Sequence, residues 1–535
     1  MPNDVWRHCR YPLRLATLNR MFRAFRNLYR AAGIVRTMGK YDSLFLLQMN
    51  GVPFYIKFCC SVINLGVRSK SDLADMRKGE RLALALQRLG PGFIKLGQAL
   101  SVRADLVGKE LADDLATLQD NLPPFDTDKA QKSIESELGK PLTEIFNSFD
   151  NEPIAAASIA QVHYATTAED LPVAVKILRP GIEMAFAREL DLLRWIAEMV
   201  ENIIPKARRL RPTEIIATLS EVVAMELDLR LEAAAGDELR DNFREDQRFN
   251  VPEMDWTRTG KRVLTSERVS GVPVDEIAAL EKSGHNTEDI VANMARVFFL
   301  QVFRDGFFHA DLHPGNLLVD QDGVIQAVDF GIMGRLDRKT RYYLAEMMIG
   351  FLTADYAKVA AVHFQAGYIH RSKSQEAFAQ AARSIAEPIL GLPLKDISLA
   401  RLLAQLFQVT ERFEMETQPQ LLLLQKTMLV AEGVGRRLHP NTNMWELARP
   451  LIEDWMKDAL SSEARTAEAI TEASKLIEQL PILINNMGEG VTTLASEGLK
   501  LHPDTLSAMS KSKKSATWPW WAGTFIALGL IFSAI

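Results

Sequence analysis

Three polar residues in the middle of the chain, Asp311, Asn316 and Asp329, constrain the fold more than any other feature of the sequence. Asp311 and Asn316 lie in the segment His-Ala-Asp-Leu-His-Pro-Gly-Asn at residues 309–316, and Asp329 opens an Asp-Phe-Gly tripeptide. Residues 324–328 have the apolar pattern of a short strand that ends at Asp329. Phosphoryl transfer needs one carboxylate to orient the acceptor, and an Asn and an Asp to hold magnesium on the nucleotide phosphates. The spacing therefore predicts a magnesium-dependent phosphoryl-transfer centre.

The composition is that of an ordinary globular protein. The 535 residues are too many for one simple core and indicate two or three units, or one large domain with extensions. A net charge of −5 with 24% charged residues gives no global basicity, so no nucleic-acid partner is expected. The three cysteines include the adjacent pair Cys59 and Cys60 and form no metal-ligand spacing, which indicates a reducing compartment without disulfides. The N-terminus lacks the apolar core and cleavage site of a secretory signal.

The first 72 residues are basic. Between Arg7 and Lys70 the only acidic residue is Asp42, and Phe22 and Tyr29 alternate with arginines at helical spacing. One interpretation is a basic amphipathic helix that lies on an anionic membrane surface. A surface helix packed on the main domain, or a transit peptide, would have the same pattern. The sequence leaves these alternatives open.

Residues 518–535 carry no charged side chain. A helix of this length would extend roughly 27 Å, near the lower limit for a bilayer span. Three tryptophans at its start would form an interfacial aromatic belt, and three lysines precede them. The pattern predicts a C-terminal membrane-anchoring helix with the bulk of the chain in the cytoplasm. A hydrophobic helix docked in a partner, or one inserted as a hairpin, is the alternative.

The order of patterns along the chain is helices, a small sheet and then mostly helices, which predicts a two-lobed α+β architecture. Helices are predicted at residues 82–106, broken at Gly90-Pro91-Gly92, and at 127–138, 183–200 and 213–235. Strands are predicted at residues 162–165, 173–178 and 263–269. The predicted divisions are a basic segment (1–72), a helical extension (73–150), an N-lobe-like unit with a helical insert (151–275), a helical C-lobe (276–460), a helical stalk (461–517) and the anchor (518–535).

Lys176 ends the Val-Ala-Val run of a predicted strand, a position suited to holding the α- and β-phosphates of a nucleotide. A lysine inside an apolar strand needs a carboxylate partner, because an unpaired buried ammonium is costly. The candidates are Glu226, Asp228 and Glu232, since a helix predicted over residues 222–234 would project them from neighbouring turns. An edge-strand lysine that reaches water is the alternative.

Upstream of that strand, an alanine-rich segment occupies the place where a kinase carries a glycine-rich loop over the phosphates. It consists of Ala155, Ala156, Ala157, Ser158, Ile159, Ala160, Gln161 and Val162. Each alanine adds a Cβ that hinders positive φ and close backbone approach, so this loop should hold a nucleotide differently from a glycine-rich one. A tightly packed, alanine-rich helix start is the alternative.

Two further sets of polar residues are less specific. Lys95 and Gln98 lie three residues apart on one face of an early helix, and by themselves they form only a polar stripe. His309 and His313 have one aspartate and no third histidine beside them. We therefore interpret His309 as a structural residue near the loop rather than as a metal ligand.

Together these motifs resemble the UbiB family of atypical kinases, which is associated with ubiquinone biosynthesis. The resemblance spans roughly residues 73–455. It rests on Lys-Leu-Gly-Gln at 95–98, the alanine-rich loop, Val-Ala-Val-Lys at 173–176, Glu-Leu-Asp at 226–228, the loop at 309–316 and Asp-Phe-Gly at 329–331. Pro-Gln-Leu at 419–421 and Leu-Gln-Lys at 424–426 are similar to the bacterial members.

The resemblance implies a protein-kinase-like fold whose N-terminal extension folds over the cleft. By position, the alanine-rich loop and Lys176 would bind ATP or ADP, and Glu232 would be the ion-pair partner of Lys176. Asp311 would be the catalytic base, and Asn316 and Asp329 would bind Mg²⁺. The family-specific residues that would line the covered cleft are Lys95, Gln98, Glu226 and Asp228.

The activity implied by the resemblance is ATP hydrolysis or phosphoryl transfer to a small, lipid-like acceptor, because the extension would obstruct a protein substrate. The implied partners are membrane lipids or ubiquinone precursors, and other ubiquinone-synthesis enzymes, at the bacterial inner membrane. The oligomeric state is left open, a homodimer included. Two alternatives remain: a nucleotide-switched, non-catalytic scaffold for quinone-synthesis enzymes, and a small-molecule phosphotransferase of the antibiotic-kinase kind. The extension and the hydrophobic tail count against the latter.

Overall fold

The helices and strands follow the order that the sequence pattern predicts. A computed structural model describes residues 11–45, 53–67, 73, 76–101, 107–115, 118, 123–204, 208, 211–388, 409, 412–415, 418–440 and 444–460. The helices are α1 (Tyr11–Lys40), α2 (Phe54–Ile63), α3 (Lys78–Leu89), α4 (Pro91–Ser101), α5 (Lys109–Leu115), α6 (Thr127–Leu138), α7 (Leu142–Ile145), α8 (Ile182–Ile203), α9 (Pro212–Glu226), α10 (Leu229–Asn242), α11 (Ile277–Lys282), α12 (Thr287–Phe299), α13 (Arg338–Leu352), α14 (Tyr356–Gln365), α15 (Gln375–Ala386), α16 (Pro419–Leu438) and α17 (Met444–Leu460). The strands are β1 (Phe146–Phe149), β2 (Ala155–Ala156), β3 (Ala160–Thr167), β4 (Pro172–Leu178), β5 (Phe249–Asn250), β6 (Val263–Glu267), β7 (Val272–Pro273), β8 (Phe307–His309), β9 (Leu317–Val319), β10 (Ile325–Ala327) and β11 (Met333–Arg335).

The N-lobe contains a five-stranded sheet in the order β1–β3–β4–β6, with β2 added to β3. All of its pairings are antiparallel. Along β4, Val173, Val175 and Ile177 are buried in a cluster that also contains Ala130 and Ile134 of α6. Successive side chains of a strand point to opposite faces, so Lys176 lies on the face away from this core. The predicted strands at residues 162–165 and 173–178 are confirmed.

Helix α6 has the bounds that the sequence predicted. It begins where the Asp126 carboxylate accepts a hydrogen bond from the Asp128 N–H at 3.0 Å, which satisfies one of the free donors of the first turn. It ends at Gly139, whose φ of 69° is a left-handed conformation that favours glycine. This helix covers one face of the N-lobe sheet and leaves the other face for the cleft.

The helix predicted over residues 213–235 is wrong, because the chain forms two helices there. The first, α9, ends at Glu226, and the second, α10, begins at Leu229. Asp228 between them has the extended conformation of an N-cap, and its carboxylate accepts a hydrogen bond from the Arg230 N–H at 3.2 Å. The Leu229 N–H donates to the carbonyl of Lys261 at 2.9 Å, which a continuous helix would not allow. Because of this break, the side chains of Glu226 and Glu232 point in different directions.

The C-lobe combines short strands with helices α12 to α16. Strand β10 lies between β5 and β9, β7 pairs with β9, and β8 pairs with β11. Strand β8 ends at His309, two residues before Asp311, and β10 ends at Ala327, two residues before Asp329. A π-helical turn at Leu300–Asp305 extends α12 towards β8. The strands thus deliver both aspartates to loops that immediately follow strand ends.

The helical extension packs against the N-lobe. Helices α3, α4 and α5 contact one another, and α4 also contacts α8. Helix α1 packs on α3 and α8, and the buried amide of Asn27 donates to Asp191 at 3.3 Å. Among the three interpretations of the basic segment, the helix packed on the main domain describes this part of α1. The side chains of residues 11–25, Phe22 included, lie outside the described part of the structure.

The chain divides into two compact units, Met1–Met456 and Lys457–Ile535. The structure describes only residues 457–460 of the second unit, at the end of α17. The predicted stalk at 461–517 and the predicted anchor at 518–535 therefore lie outside the described residues and stay predictions. Of the helices within the described ranges, none combines the length and apolar character that a bilayer crossing requires.

We expect Gly97→Ala to destabilise the extension. A Cβ at Gly97 would meet the side chains of Leu118 and Leu86, the latter at 2.9 Å. Overpacking of this kind costs about 1–3 kcal/mol, so the free energy of unfolding measured by chemical denaturation should fall by about that amount. The control is Gly433→Ala in α16, where an added Cβ meets nothing within 4 Å and should be neutral or stabilising. Equal stability of the two variants would contradict the prediction.

Candidate active site

The centre of the candidate site is the ammonium of Lys176. Its Nζ lies 2.6 Å from Oε1 of Glu232 and 3.0 Å from Oδ2 of Asp329. Strand β4 supplies the lysine, α10 supplies the glutamate, and the loop after β10 supplies the aspartate. Of the three acids that the sequence offered as partners, the structure brings Glu232 to the lysine. The edge-strand alternative is wrong, because β4 lies between β3 and β6.

Burial and mutual contact shift the pKa of each of the three charged groups. Burial lowers the pKa of Lys176, but the two carboxylates outweigh it and leave the pKa raised, so the ammonium stays charged. Burial raises the pKa of Asp329, but Lys176 and the Gly331 N–H bring it down to about 2. Burial raises the pKa of Glu232 in spite of the ion pair with Lys176. One cation facing two acids leaves an excess of negative charge that a bound cation would neutralise.

Two hydrogen bonds hold Asn316 between Asp311 and the Asp-Phe-Gly segment. The Asn316 side-chain amide donates to the backbone carbonyl of Asp311 at 3.0 Å, and the backbone carbonyl of Asn316 accepts from the Val328 N–H at 3.1 Å. A single 3-10 turn at Pro314–Asn316 makes this approach possible. Asp311, Asn316 and Asp329 therefore come from one compact piece of the C-lobe, as the sequence spacing predicted.

His309 supports the loop that carries Asp311 through a hydrogen bond and through packing of its ring. Its Nδ1 accepts the Asp311 N–H at 3.1 Å, its ring lies 6.0 Å from that of Phe330, and burial lowers its pKa, which favours the neutral ring. The opposite side of Phe330 faces Gly236 of α10, where a Cβ would come within 3.0 Å of the ring. The structural interpretation of His309 agrees with this placement.

Asn316 and Asp329 fit a magnesium ion. Both offer oxygen ligands, which Mg²⁺ prefers, and one carboxylate is enough when phosphates and waters supply the other positions. Oδ1 of Asp329 accepts the Gly331 N–H at 2.9 Å, so the carboxylate is held in one orientation. Within the described ranges no group of three or more His, Cys, Asp or Glu side chains could hold a metal. These two residues would hold the ion, which would then depend on phosphate oxygens for the remaining ligands.

The alanine-rich segment forms a tight hairpin rather than a helix start. Ala155 and Ala156 of β2 pair with Val162 and Gln161 of β3, and the Ala157 N–H donates to the carbonyl of Ala160 at 2.8 Å. The predicted loop residues are thus held in a defined shape at the edge of the N-lobe sheet. The turn residue Ser158 is buried, and its hydroxyl has no hydrogen-bond partner among the described residues.

Gln161 has a role that its place in the loop did not suggest. Its side chain accepts from the Phe125 N–H at 2.9 Å and donates to the Phe125 carbonyl at 3.3 Å. Arg179, which the sequence interpretation missed, donates to the Ala157 carbonyl at 2.8 Å and to the Pro123 carbonyl at 2.9 Å. Both side chains tie the hairpin to the end of the extension. A polar side chain that bonds a distant backbone leaves no local sequence signal.

The Lys95 and Gln98 helix is fixed to the N-lobe at two points. Lys95 of α4 forms an ion pair with Glu226 at the end of α9, at 2.9 Å and with both side chains about nine-tenths buried. Gln98 lies on the next turn and is half-buried. Asp228 does not join this pair: its carboxylate binds Arg230 at 2.7 and 2.9 Å and caps α10. Of the four predicted cleft residues, Lys95 and Glu226 form an ion pair with each other.

The second attachment is Glu189 of α8, which the sequence interpretation also missed. Its carboxylate accepts the Gly92 N–H at 2.6 Å, at the N-terminus of α4, where free backbone donors favour negative charge. Any Cβ at Gly92 would come within 2.6 Å of this carboxylate, and one at Gly90 within 2.5 Å. The sequence signal available for this contact was the Gly-Pro-Gly break, because such glycines mark a place where the backbone closely approaches another group.

Comparisons with known proteins identify the family. The ABC1 atypical kinase-like domain matches residues 117–363, and the UbiB helical domain matches residues 382–443. The probable protein kinase UbiB of Marinobacter nauticus is 40% identical over 465 residues, which cover 86% of this chain and 85% of that protein. The chain belongs to the UbiB family. The probable protein kinase UbiB of Xanthomonas euvesicatoria is 44% identical over 81% of this chain and 79% of that protein.

The UbiB assignment confirms the resemblance and the kinase-like fold of mixed helix and sheet. A Mycobacterium tuberculosis protein solved with erythromycin also overlaps, with a TM-score of 0.47 and 24% identity over 74% of this chain and 98% of that chain. The ABC1 match contains Lys176, Glu232 and the loop at residues 309–316, and the UbiB helical match contains all of α16. The roles of the individual site residues stay predictions.

We expect Glu189 to make the stability of this UbiB-family chain depend on pH. Burial raises the pKa of Glu189 to about 7, whereas its ordinary value is 4.5. The folded chain therefore binds more protons than the unfolded chain between these values, and the free energy of unfolding falls as pH rises from about 4.5 to about 7. Glu189→Gln should remove this fall, as measured by denaturation in buffers across that range.

The matched control for Glu189→Gln is Glu198→Gln, which changes an exposed carboxylate on the same helix. This variant should keep the wild-type slope of stability against pH. If Glu189→Gln and the wild type gave parallel profiles, the carboxylate would titrate normally in the folded protein and the account of its burial would be wrong.

Proposed function

We propose that this UbiB-family protein is a magnesium- and ATP-dependent kinase-like phosphotransferase or ATPase. The observation that carries the proposal is Lys176 held between Glu232 and Asp329. In kinases the strand lysine, its glutamate partner and the metal-binding aspartate must all be in place for transfer. A protein that only bound a nucleotide, without transferring phosphate, would not need Lys176, Glu232 and Asp329 all within hydrogen-bond distance.

The proposed roles follow from these positions. Lys176 binds the α- and β-phosphates, and Glu232 keeps its ammonium in position. Asn316 and Asp329 hold Mg²⁺, which when bound neutralises charge on the phosphate oxygens. Asp311 accepts the proton of the attacking hydroxyl or water. The alanine-rich hairpin, Ala155 to Val162, covers the phosphates.

The proposed acceptor is a small lipid-like molecule or water. The ion pair between Lys95 and Glu226 holds α4 beside the helix pair that supplies Glu232. Gln161 and Arg179 bind the end of the extension to the phosphate hairpin. A segment attached to the N-lobe at two points should restrict the access of a folded protein substrate to the cleft. The ion pair supports the cleft roles proposed for Lys95 and Glu226, and the cleft roles of Gln98 and Asp228 stay proposals.

The proposed biological setting is ubiquinone biosynthesis at the bacterial inner membrane, with membrane lipids or ubiquinone precursors as ligands and other ubiquinone-synthesis enzymes as partners. The names of the relatives support it, since they are called probable protein kinase UbiB. Residues 518–535 are proposed as the anchor. A second candidate is a nucleotide-switched scaffold, favoured by the hydrogen bonds of Gln161 and Arg179, through which a bound nucleotide could influence the extension.

Asp329→Asn should reduce magnesium-dependent ATP turnover of the purified protein by about 100-fold or more, because the metal loses its only carboxylate from this pair. Phosphate release at saturating ATP measures the effect. Asp170→Asn is the matched control: Asp170 is exposed at the β3–β4 turn with a φ of 62°, which asparagine tolerates, and turnover should be unchanged. Full turnover in Asp329→Asn would refute the mechanism.

Quinone profiling of cells separates the two candidates. Cells that carry Asp329→Asn should accumulate early quinone intermediates if turnover is needed. If the variant binds ATP, does not hydrolyse it and still restores normal quinone levels, the scaffold is the correct function. Lys176→Ala, which should lose nucleotide binding, is expected to fail in both cases.

We also propose that α2 and the turn that follows it contact an anionic bilayer. Phe54, Phe58 and Leu65 are 80%, 59% and 82% exposed, and the neighbouring basic residues Lys57 and Lys40 suit an anionic surface. In the chain truncated after residue 512, the double substitution Phe54→Ser and Phe58→Ser should weaken binding to phosphatidylglycerol vesicles several-fold in flotation assays. Met184→Ser, which removes another exposed apolar side chain, should leave binding unchanged. Equal flotation of both variants would contradict the proposal.

A further inference from the structure

Lys426 of α16 brings a cation to the proposed catalytic loop, residues 309–316, which carries Asp311. Its Nζ lies 3.7 Å from Oδ1 of Asp311, and the two side chains are 37% and 36% exposed. An ion pair this open contributes little to stability, because water screens both groups. The position of Lys426 therefore requires an explanation other than folding.

The helix that carries Lys426 is anchored to the catalytic loop by the next residue. Thr427 is fully buried, and its hydroxyl is 3.1 Å from the Ala310 carbonyl and 2.9 Å from that of Leu423. Leu424, two residues before Lys426, is also buried, and α16 packs on α12 and β11. These contacts fix the rotation of α16, so the lysine is directed at Asp311 by the packing of its neighbours.

The positions of the other charged groups in the site indicate a role for the Lys426 ammonium. Lys176 is already engaged by Glu232 and Asp329, at the nucleotide-binding end of the site. A phosphoryl group in transfer spreads negative charge over its outer oxygens, and a fixed cation there lowers the barrier. Lys426 supplies a positive charge beside Asp311, where the acceptor would bind.

We infer that Lys426 is a catalytic residue that contacts the γ-phosphoryl group of ATP and stabilises its charge during transfer. This inference rests on the proposed function. The acceptor oxygen forms a bond to the γ-phosphorus while the bond from that phosphorus to the β–γ bridging oxygen breaks, and the bonding electrons leave with ADP. The acceptor proton passes to Asp311 and then to solvent. Lys426 keeps its proton throughout and remains held by Asp311 when the nucleotide is absent.

The inference assigns a part of the site to the UbiB helical domain. Residues 382–443 match that domain, and they include α16, whereas the other catalytic residues lie within the ABC1 match. The helical domain then completes the phosphoryl-transfer centre instead of only supporting the C-lobe.

The test compares full-length wild type, Lys426→Met and Lys426→Arg. Turnover of ATP should fall about 100-fold in Lys426→Met, as when one transition-state donor is lost, and Lys426→Arg should recover a tenth or more. With magnesium, the affinity for a non-hydrolysable ATP analogue should fall several-fold, whereas the affinity for ADP should change less than about twofold. This difference follows because the cation contacts only the phosphoryl group that ADP lacks.

The matched control is Arg437→Met, which removes another cation from α16. Arg437 pairs with Asp275 at 3.9 Å. This control should keep wild-type turnover and both affinities. Unchanged turnover and an unchanged ratio of ATP-analogue to ADP affinity in Lys426→Met would overturn the inference. An equal loss of both affinities would also overturn it, because the lysine would then act only on folding. If the wild type itself neither bound nor hydrolysed ATP, the proposed function would fail first.

Discussion

The buried contact of Lys176 with Glu232 and Asp329 is the interaction on which the rest of the structure depends. It joins β4, α10 and the loop after β10, which otherwise belong to separate layers of the two lobes. Removing one partner of a buried ion pair costs about 3–5 kcal/mol, because the remaining charge is left unpaired in a poor solvent. The contact therefore keeps the groups that would bind phosphate and metal at the same point.

A second buried ion pair attaches the helical extension to the N-lobe. The pair of Lys95 with Glu226 is also buried, and it lies at the end of α9, immediately before the break that starts α10. Two buried ion pairs thus lie at the two ends of one short stretch of chain, residues 226–232. Substitutions that shift this stretch would affect both the proposed phosphate site and the attachment of the extension, so their effects on turnover and on stability should be coupled.

Much of the candidate site could be predicted from local sequence. The spacing of Asp311, Asn316 and Asp329, the strand ending at Lys176 and the bounds of α6 all follow from patterns within about 20 residues. The helix break at Asp228 was missed, because apolar periodicity continues through it. An N-cap aspartate looks like any helical surface acid until a distant carbonyl, that of Lys261, replaces the next helical bond.

The sequence by itself determined which chemical groups this protein has, and in which order short strands and loops present them. Only the tertiary structure decided which distant groups meet: Arg179 at the Pro123 carbonyl, and Lys426 at a carboxylate 115 positions earlier in the chain. The physical reason is that periodicity and capping act over a few residues of backbone. Ion pairs and hydrogen bonds between distant segments depend instead on how the helices pack, which short patterns do not encode.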